Sequence, residues 1–241
     1  MGSYKKDYNK LYLLQDKFLC WFRLFQFPFY LTGGTALGRF YLNHRFSEDL
    51  DFFVNADPDF GVYIDKIKKE ITNHFDADIQ QSLFTDDFCR IFIEEKGSIL
   101  KIEFVNDVAY RAGQPMEYNY GKIDTPENIL ANKLTAVVGR DEPKDVFDII
   151  HLSLNYSFNW QEIFFHSKEK TVINEIDVEE RLYSFPVEWF ENIHWILSPV
   201  EIQFYKNTIN QIADDFLLGK GNSLGAERAP INKATPLERL P

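Results

Sequence analysis

The sequence predicts an α+β fold, in which a mixed β-sheet flanked by helices is followed by a C-terminal helical bundle. In the first half, short apolar runs with two-residue alternation are separated by Gly, Asp and Pro turns, which is typical of strands. After residue 124, apolar residues recur at helical spacing and Pro marks two helix starts. We therefore predict an α/β domain over residues 1–123 and a helical domain over 124–218. Residues 219–241 have no periodicity and are expected to form a flexible tail.

The composition of the 241-residue chain is that of a folded protein. Hydrophobic residues make up 45% and aromatic residues 16%, which is enough for a packed core and excludes extensive disorder. The net charge of −11 argues against broad, non-specific binding of nucleic acid, although it permits a local basic groove. Cys20 and Cys89 show no metal-ligand spacing, which indicates free thiols in a reducing compartment.

The N-terminus is polar and shows no signal peptide. The apolar stretch over residues 20–31 is too short to span a bilayer and contains Arg23 and Pro28. We therefore expect a cytoplasmic protein without a membrane span.

The helices and strands of the first half are predicted from the helical and two-residue spacings of its apolar residues. An amphipathic helix is expected over residues 4–25 and a short strand over 29–32, which leads into Gly33-Gly34. A polar stretch over 106–121 interrupts the pattern. The other predicted helices are 35–43 and 60–75, and the other predicted strands are 49–54, 78–83, 88–94 and 99–105.

The second half begins with a strong helix start. Thr125 is a good N-cap and Pro126 suits the first helical position, so a helix is predicted from there to about Gly139. Further helices are predicted over 143–154, 160–166, 178–182, 187–195 and 200–218.

Asp49 and Asp51 form an acid pair within an apolar run. Residues i and i+2 of a strand point to the same face, so both carboxylates share one face, while Leu50, Phe52 and Val54 share the other. Two adjacent anions repel each other unless a cation lies between them. Carboxylate oxygens suit Mg²⁺, which proteins usually hold with one or two carboxylates and substrate phosphates.

Gly33-Gly34 precedes this acid pair, between a strand and a helix. Such a turn brings backbone N–H groups and a helix N-terminus close to an anion, and Thr35 adds a hydroxyl. A Gly-Gly alone is usually only a turn, and an Asp-x-Asp alone is usually a solvated strand edge. Their combination at this spacing, inside an apolar frame, favours a site for phosphate and metal.

These motifs resemble the nucleotidyltransferase signature of the DNA polymerase beta superfamily, in which Gly-Gly or Gly-Ser precedes Asp-x-Asp or Asp-x-Glu. The fuller form, Gly-Gly-Thr-Ala-Leu and then His-Arg-x-Ser-x-Asp-Leu-Asp-Phe-Phe, is similar to the AbiEii/AbiGii family of abortive-infection toxins. Thr35 stands where the wider superfamily has Gly or Ser. The resemblance covers residues 29–54 and 99–152. It implies an N-terminal nucleotidyltransferase domain, an NTP substrate, Mg²⁺ or Mn²⁺ as cofactor and a cognate antitoxin.

A pair of catalytic metal ions needs three or more carboxylates. Glu103 is the best candidate for the third, because it lies mid-strand in an apolar run, where an unpaired acid is costly. The superfamily commonly has Asp at this place, which makes Asp107 a rival, and Glu103 could instead be a strand acid paired with Lys101. We predict Asp49, Asp51 and Glu103 as catalytic residues and metal ligands.

Lys133, Arg140, Lys144, Asp145 and Asp148 form a second group. Lys133 and Arg140 are two helical turns apart and share a face. By themselves these residues could be ordinary ion pairs on a helix surface. The group resembles the helical motif of the family, which implies that Lys133 reaches the triphosphate and that Arg140 or Lys144 assists. Asp145 and Asp148 are then expected to orient these cations.

His44, Arg45 and Ser47 lie just before the acid pair. Arg45 either contacts phosphate or pins the loop to Ser47 or Glu48. A lone histidine is more often structural than catalytic, and no His–acid arrangement near Ser47 makes it a nucleophile.

The leading hypothesis is a metal-dependent toxin that transfers a nucleoside monophosphate from an NTP to an acceptor and releases pyrophosphate. The acceptor remains open between RNA such as tRNA, a protein hydroxyl and a small molecule such as an aminoglycoside. A local groove could hold nucleic acid through Arg39, Arg45, Lys133, Arg140 and Lys144. The alternatives are a non-catalytic nucleotide-binding partner, which would not need two repelling carboxylates, and a phosphohydrolase, for which His-Asp pairing is lacking.

Overall fold

The computed structural model describes residues 7–191 and 193–237 of the chain. Their strands are β1 (Tyr30–Thr32), β2 (Leu50–Asn55), β3 (Asp76–Phe84), β4 (Phe88–Glu95), β5 (Ser98–Asp107), β6 (Met116–Tyr118) and β7 (Gly121–Ile123). They form one sheet in the order β3-β4-β5-β2-β1-β7-β6. Strand β2 is antiparallel to β1 and parallel to β5, so the sheet is mixed, as predicted.

The helices flank this sheet and fill the second half of the described chain. They are α1 (Tyr8–Phe22), α2, α3 (Phe60–Ile71), α4 (Pro126–Gly139), α5 (Pro143–Asn155), α6 (Trp160–Lys168), α7 (Glu175–Tyr183) and α8 (Ile202–Leu217). Helix α2 comprises an α-helical turn, Gly33–Thr35, and a π-helical segment, Ala36–Tyr41. Short 3-10 turns cover Arg23–Phe25, Val187–Phe190 and Ile231–Lys233.

One face of β2 is buried as its alternation predicts. Leu50, Phe52 and Val54 are buried, whereas the residues between them are partly exposed. Helix α1 covers this face, since the ring of Phe22 lies 4.6 Å from that of Phe52 and 5.4 Å from that of Phe104 on β5. The packing therefore leaves the opposite face of β2 and β5, which carries the acids, open toward α4 and α5.

The start of α4 is tied to the end of β1. Thr125 caps the helix by accepting a hydrogen bond from the Asn128 backbone N–H. Asp124 is fully buried and accepts from the hydroxyl of Thr32 at 2.5 Å and from the Asn128 amide at 2.9 Å. These bonds fix the distance between the glycine turn after β1 and the cations on α4.

Several boundaries differ from the predictions. Helix α1 begins at Tyr8, and the predicted helical residues 4–6 lie outside the described residues. Part of the predicted helix 35–43 is π-helical. Strands β6 and β7 were missed in and just after the polar stretch 106–121, because three-residue strands are too short to show alternation.

The predicted flexible tail is wrong for residues 219–237. Asn222 is buried, and its side-chain amide donates to the carbonyls of Ser153 and Tyr156 at 2.7 Å each. Ile231 is buried, and the Leu237 N–H donates to the Phe40 carbonyl at 2.6 Å. Isolated buried residues and hydrogen bonds of this kind produce no periodic pattern in the sequence. Residues 238–241 lie outside the described residues.

The division into domains at residues 123 and 124 stays a prediction. Strand β7 ends at Ile123 and helix α4 begins at Pro126, so the change of architecture falls where composition places it. The buried apolar residues nevertheless form one cluster that includes members from both halves.

None of the helices within residues 7–191 and 193–237 combines the length and apolar character that a membrane crossing requires.

Candidate active site

A cleft of about 660 Å³ lies between the open face of the sheet and helices α4 and α5. The sheet wall comprises Asp49, Asp51, Phe53, Lys101, Glu103, Val105 and Asp107. The helical wall includes Lys133, Arg140, Lys144 and Asp145, and the glycine turn and Arg45 close one end. Most of the residues predicted to carry chemistry thus meet in one cleft.

The register of the sheet brings the predicted carboxylates together. Asp51 lies directly opposite Glu103 in the parallel pair of β2 and β5, and Asp49 immediately precedes β2. Asp107 lies opposite Asn55, about 13 Å along the strand from Glu103 at ~3.3 Å per residue. The register therefore favours Glu103 over Asp107 as the third carboxylate.

Two cations already contact these acids. The ammonium of Lys101 lies 3.1 Å from Asp49 Oδ2 and 3.3 Å from Glu103 Oε2. The Arg90 guanidinium lies 2.6 Å from Glu103 Oε1. Burial alone would raise the pKa of Glu103, but the hydrogen bond from Arg90 and the charge of Lys101 outweigh it and lower that pKa. Glu103 is therefore an ionised, paired carboxylate in this structure.

Asp51 is compensated only in part, by the charges of Lys101 and Lys133. No described residue forms an ion pair with its carboxylate. Burial and the negative charges of Glu103 and Asp49 raise the pKa of Asp51 to about 7. A carboxylate held next to two other acids in this way attracts either a proton or a cation.

The donor set fits a hard divalent cation in its chemistry. Three carboxylates converge, and burial together with the charges of Glu103 and Asp49 raises the pKa of Asp51 despite the nearby lysines. Within the described part of the chain, however, no three Asp, Glu, His or Cys side chains are arranged to hold a metal ion. The ammonium of Lys101 lies between Asp49 and Glu103, so metal binding there requires this side chain to move.

The two glycines of the turn allow a close approach of charged side chains. Gly33 has a φ of +66°, and a Cβ there would lie 2.8 Å from Asp51 Oδ2. A Cβ on Gly34 would lie 2.3 Å from an Arg45 guanidinium nitrogen. Both residues line the cleft, so the absence of side chains brings backbone close to Asp51 and Arg45.

The hydroxyl of Thr35 does not lie at the phosphate site where the sequence predicts it. Its side chain is fully buried, and its hydroxyl donates to the backbone carbonyl of Asp49 rather than pointing into the cleft. The hydroxyl is therefore placed to position the acid pair, not to contact phosphate.

Lys133 is held between two acids on the helical wall. Its ammonium lies 2.6 Å from Asp145 Oδ1 and 2.7 Å from Asp148 Oδ2, and the residue is 7% exposed. Burial would lower the pKa of Lys133, but the charges of Asp148 and Asp145 outweigh it and raise that pKa. Arg140 also pairs with Asp145, at 2.7 Å, although its side chain is 61% exposed.

Arg45 and His44 converge on Asp148, more than a hundred residues away in the sequence. Arg45 donates to both carboxylate oxygens at 2.6 and 2.7 Å, and His44 Nε2 lies 2.8 Å from Oδ1. Burial alone would raise the pKa of Asp148, but Arg45 and Lys133 hold it well below its usual range. Arg45 lines the cleft with its charge already paired to Asp148.

Only some of the residues predicted to form a basic groove are available at the cleft. Arg39 is buried and bonds to Gln15 at 2.9 Å and Asp16 at 2.7 Å, and it does not line the cleft. Arg45 and Lys133 are paired with the buried acids Asp145 and Asp148. Arg140 and Lys144 remain at the cleft.

Lys170 is a cleft residue that the sequence did not single out. It follows α6 within an ordinary charged stretch, Lys168 to Lys170, and nothing in its spacing distinguishes it from surface lysines. Its position is visible only once α6 is packed beside the end of β5.

A family model for the nucleotidyl transferase AbiEii toxin, of type IV toxin–antitoxin systems, matches residues 21–170. The chain belongs to this AbiEii family. It is therefore a toxin nucleotidyltransferase, and the family implies an antitoxin partner. The resemblance inferred from the glycine turn and the acid pair is thereby confirmed.

Solved structures share the fold. JHP933 from Helicobacter pylori is 21% identical, with a TM-score of 0.57 over 88% of this chain and 92% of that one. The nucleotidyltransferase toxin MenT4 from Mycobacterium tuberculosis is 17% identical, with a TM-score of 0.58 over 90% of this chain and 86% of that one. No curated protein matches the sequence at a significant level.

Proposed function

We propose that this toxin transfers a nucleoside monophosphate from an NTP to a hydroxyl of an acceptor, with Mg²⁺ or Mn²⁺ as cofactor. The acceptor is an RNA such as tRNA, or a protein. One observation carries the proposal: the only partly compensated Asp51 lies in register with Glu103, across one cleft from Lys133 and Arg140. This arrangement supports a cation on the sheet wall and phosphates between the two walls.

In this reaction the acceptor oxygen forms a bond to the α-phosphorus. The bond from that phosphorus to the oxygen bridging to the β-phosphate breaks, and pyrophosphate leaves with the electron pair. The hydroxyl proton passes to a carboxylate or to solvent. A bound Mg²⁺ would neutralise phosphate charge and acidify the attacking hydroxyl. Asp49, Asp51 and Glu103 would hold it, after Lys101 has given up its two carboxylate partners.

The remaining residues bind and orient the NTP. The exposed guanidinium of Arg140 and the ammonium of Lys144 are placed to meet the triphosphate where it enters. Lys133 keeps Asp145 and Asp148 as partners, so it offers phosphate the hydrogen-bonding capacity that they leave. The backbone at Gly33 and Gly34 lines the same cleft.

The charge distribution favours an acceptor that needs few contacts between its phosphates and the protein. The chain has a net charge of −11, and Arg45 and Lys133 are already paired with buried acids. Such a surface offers few contacts to a long duplex. A single-stranded RNA terminus or a protein hydroxyl requires fewer phosphate contacts, and a small molecule such as an antibiotic is the alternative acceptor.

Transfer of label tests the proposal. The purified protein is incubated with each of the four α-labelled NTPs, with Mg²⁺ or with EDTA, and with either bulk tRNA or an RNA-free protein extract. We expect metal-dependent label in one fraction and a loss of at least about 1000-fold in Asp51→Asn, since metal-assisted charge stabilisation supplies several kcal/mol. Asp65→Asn, at an exposed position on α3, is the matched control.

Three results would contradict the proposal. Label that appears only as free nucleoside monophosphate would indicate a phosphohydrolase. Transfer that persists in EDTA would show that the reaction does not require a metal ion. Equal transfer by Asp51→Asn and Asp65→Asn would place the chemistry elsewhere.

A further inference from the structure

The sheet wall continues beyond the carboxylates as an apolar floor. On the face that carries Asp51 and Glu103, the next residues along the two strands are Phe53 and Val105, which lie opposite each other. Both line the cleft. Their position is about 6.6 Å from the carboxylates, at two residues of ~3.3 Å each. A flat ring lying along the strands from the acids would therefore rest on an aromatic and an aliphatic side chain.

The far end of this floor is polar. Asp107 is the next residue on the same face of β5, and Lys170 approaches it from the end of α6, with its ammonium 3.8 Å from Asp107 Oδ2. The Lys170 side chain is 6% exposed, and its ammonium has no hydrogen-bond partner among the described residues. A buried ammonium has three donors to satisfy, and leaving them unmet is costly.

The chemistry of this end does not suit phosphate. A phosphate beside Lys170 would also lie beside the carboxylate of Asp107, which would repel it. The groups proposed to bind the triphosphate lie near Asp51 instead: a Cβ on Gly33 would lie 2.8 Å from its carboxylate oxygen, and the charge of Asp51 acts on Arg140. A metal ion is equally disfavoured, since Asp107 brings one carboxylate and Lys170 brings a positive charge.

A nucleobase edge matches what the two side chains offer. Every base presents a hydrogen-bond acceptor next to a donor on its Watson–Crick edge. Lys170 has donors without an acceptor in reach of a hydrogen bond, and Asp107 has acceptor oxygens. The distance of about 13 Å along β5 from Glu103 to Asp107 leaves room for a sugar and a base between them.

We propose that Lys170 and Asp107 recognise the base edge of the NTP, with Phe53 and Val105 as the floor on which the base lies. Lys170 donates to a carbonyl oxygen or ring nitrogen of the base, and Asp107 accepts from an adjacent N–H. The proposal rests on the proposed nucleotidyl transfer and deepens it: these residues set which NTP is used.

The test measures kinetics and binding for each of the four NTPs with wild type, Lys170→Met and Asp107→Asn. Lys168→Met is the matched control, because Lys168 lies two residues earlier, is 47% exposed and pairs with Glu175 at the surface. We expect Lys170→Met to raise KM for the preferred NTP at least tenfold, with kcat changed less than threefold. Its selectivity between the preferred and the poorest NTP should fall at least tenfold, whereas Lys168→Met keeps both values.

Two measurements separate base recognition from a structural role. The thermal midpoint of Lys170→Met should equal or exceed that of wild type, because the ammonium has no hydrogen-bond partner and its 3.8 Å contact with Asp107 does not repay the cost of burying it. Asp107→Asn should also shift the order of preference, since its amide presents a donor where the carboxylate presents only acceptors. An equal loss with all four NTPs, or unchanged KM and selectivity, would overturn the proposal.

Calorimetric binding of the NTPs in the absence of an acceptor keeps this test distinct from that of the proposed function. If wild type shows no transfer but Lys170→Met weakens binding of one NTP selectively, the base site stands and the transfer reaction fails. If wild type transfers label but the variant binds all four NTPs as wild type does, the reaction stands and the base site fails. Binding of no NTP by wild type would overturn both.

Discussion

The two walls of the cleft differ in how their charges are compensated. On the helical wall, Asp148 is buried among Arg45, His44 and Lys133, and the pKa of its carboxyl is held well below the usual range. On the sheet wall, Asp51 has no ion-pair partner among the described residues, and burial together with the neighbouring acids raises its pKa to about 7. Asp145 and Asp148 of the helical wall are both paired, whereas on the sheet wall Lys101 and Arg90 pair with Asp49 and Glu103 and leave Asp51 without an ion pair.

This difference indicates a division of labour. A fully paired network keeps the same geometry with or without substrate, so the helical wall is suited to hold the cleft in shape. A carboxylate that is compensated only in part is stabilised when a proton or a cation joins it, so the sheet wall is suited to respond to a bound metal ion. Four substitutions, in descending order of expected effect, would break or sharpen this comparison.

Asp148→Asn should break the helical wall. It removes the anion with which the buried cations of Arg45 and Lys133 both pair, and such a loss costs about 3–5 kcal/mol of unfolding free energy. Urea unfolding at pH 7 measures it. Because the pKa of Asp148 is lowered in the folded state, its contribution is present above about pH 4 and is lost below that. The difference from wild type should therefore shrink in acid, and Asp65→Asn should change the free energy by less than about 0.5 kcal/mol.

Gly34→Ala should disturb the junction between the walls. A Cβ at this position would lie 2.3 Å from the guanidinium of Arg45, whose bidentate bonds to Asp148 leave it little freedom to move. Overpacking of this kind costs about 1–3 kcal/mol. Gly61→Ala is the control, because nothing lies within 4 Å of a Cβ there and alanine favours helix α3. Equal thermal midpoints for the two variants would contradict the close approach.

Asp51→Asn should act in the opposite direction on stability. The folded-state pKa of Asp51 is raised above its unfolded value, so in metal-free buffer its contribution to stability is present below about pH 4 and is lost as pH rises through about 7. The variant should therefore be the more stable protein at pH 8 with EDTA, and the gap should narrow at pH 5. Added Mg²⁺ should stabilise wild type but not the variant. A variant less stable than wild type at pH 8 would show that the sheet wall is fully compensated after all.

Lys101→Met should have the smallest effect. The ammonium lies between Asp49 and Glu103 and is partly exposed, so each contact is worth about 1 kcal/mol or less. Its removal should lower the Mg²⁺ concentration for half-maximal activity by about threefold to fivefold, since the lysine no longer competes for the carboxylates. Lys17→Met, which breaks a surface pair with Glu95, should leave that concentration unchanged. A higher metal requirement in Lys101→Met would indicate that the lysine supports the metal site.

The parts of the fold that could be predicted are those with local signals. Alternation in Leu50, Phe52 and Val54 fixed the face of β2 that carries the acids, and the cap at Thr125 fixed the start of α4. Strands β6 and β7 and the packed segment 219–237 have no such signal. Each is held by pairing or single contacts with distant residues, as in the bond from Leu237 to Phe40.

By itself, the sequence determined the glycine turn, the acid pair and the family, because these depend on residue types at fixed spacing along the chain. It also placed Glu103 on a strand face. Only the tertiary structure decided that Glu103 lies opposite Asp51, since strand register depends on packing rather than on spacing.

The tertiary structure alone also decided the state of each charge. Arg45 meets Asp148 across 103 residues, and Lys170 reaches Asp107 from another element. Thr35 turned out to hold the carbonyl of Asp49. Whether a charged side chain is neutralised, exposed or left without a partner depends on which groups lie within a few ångströms of it, and that is set by the fold as a whole.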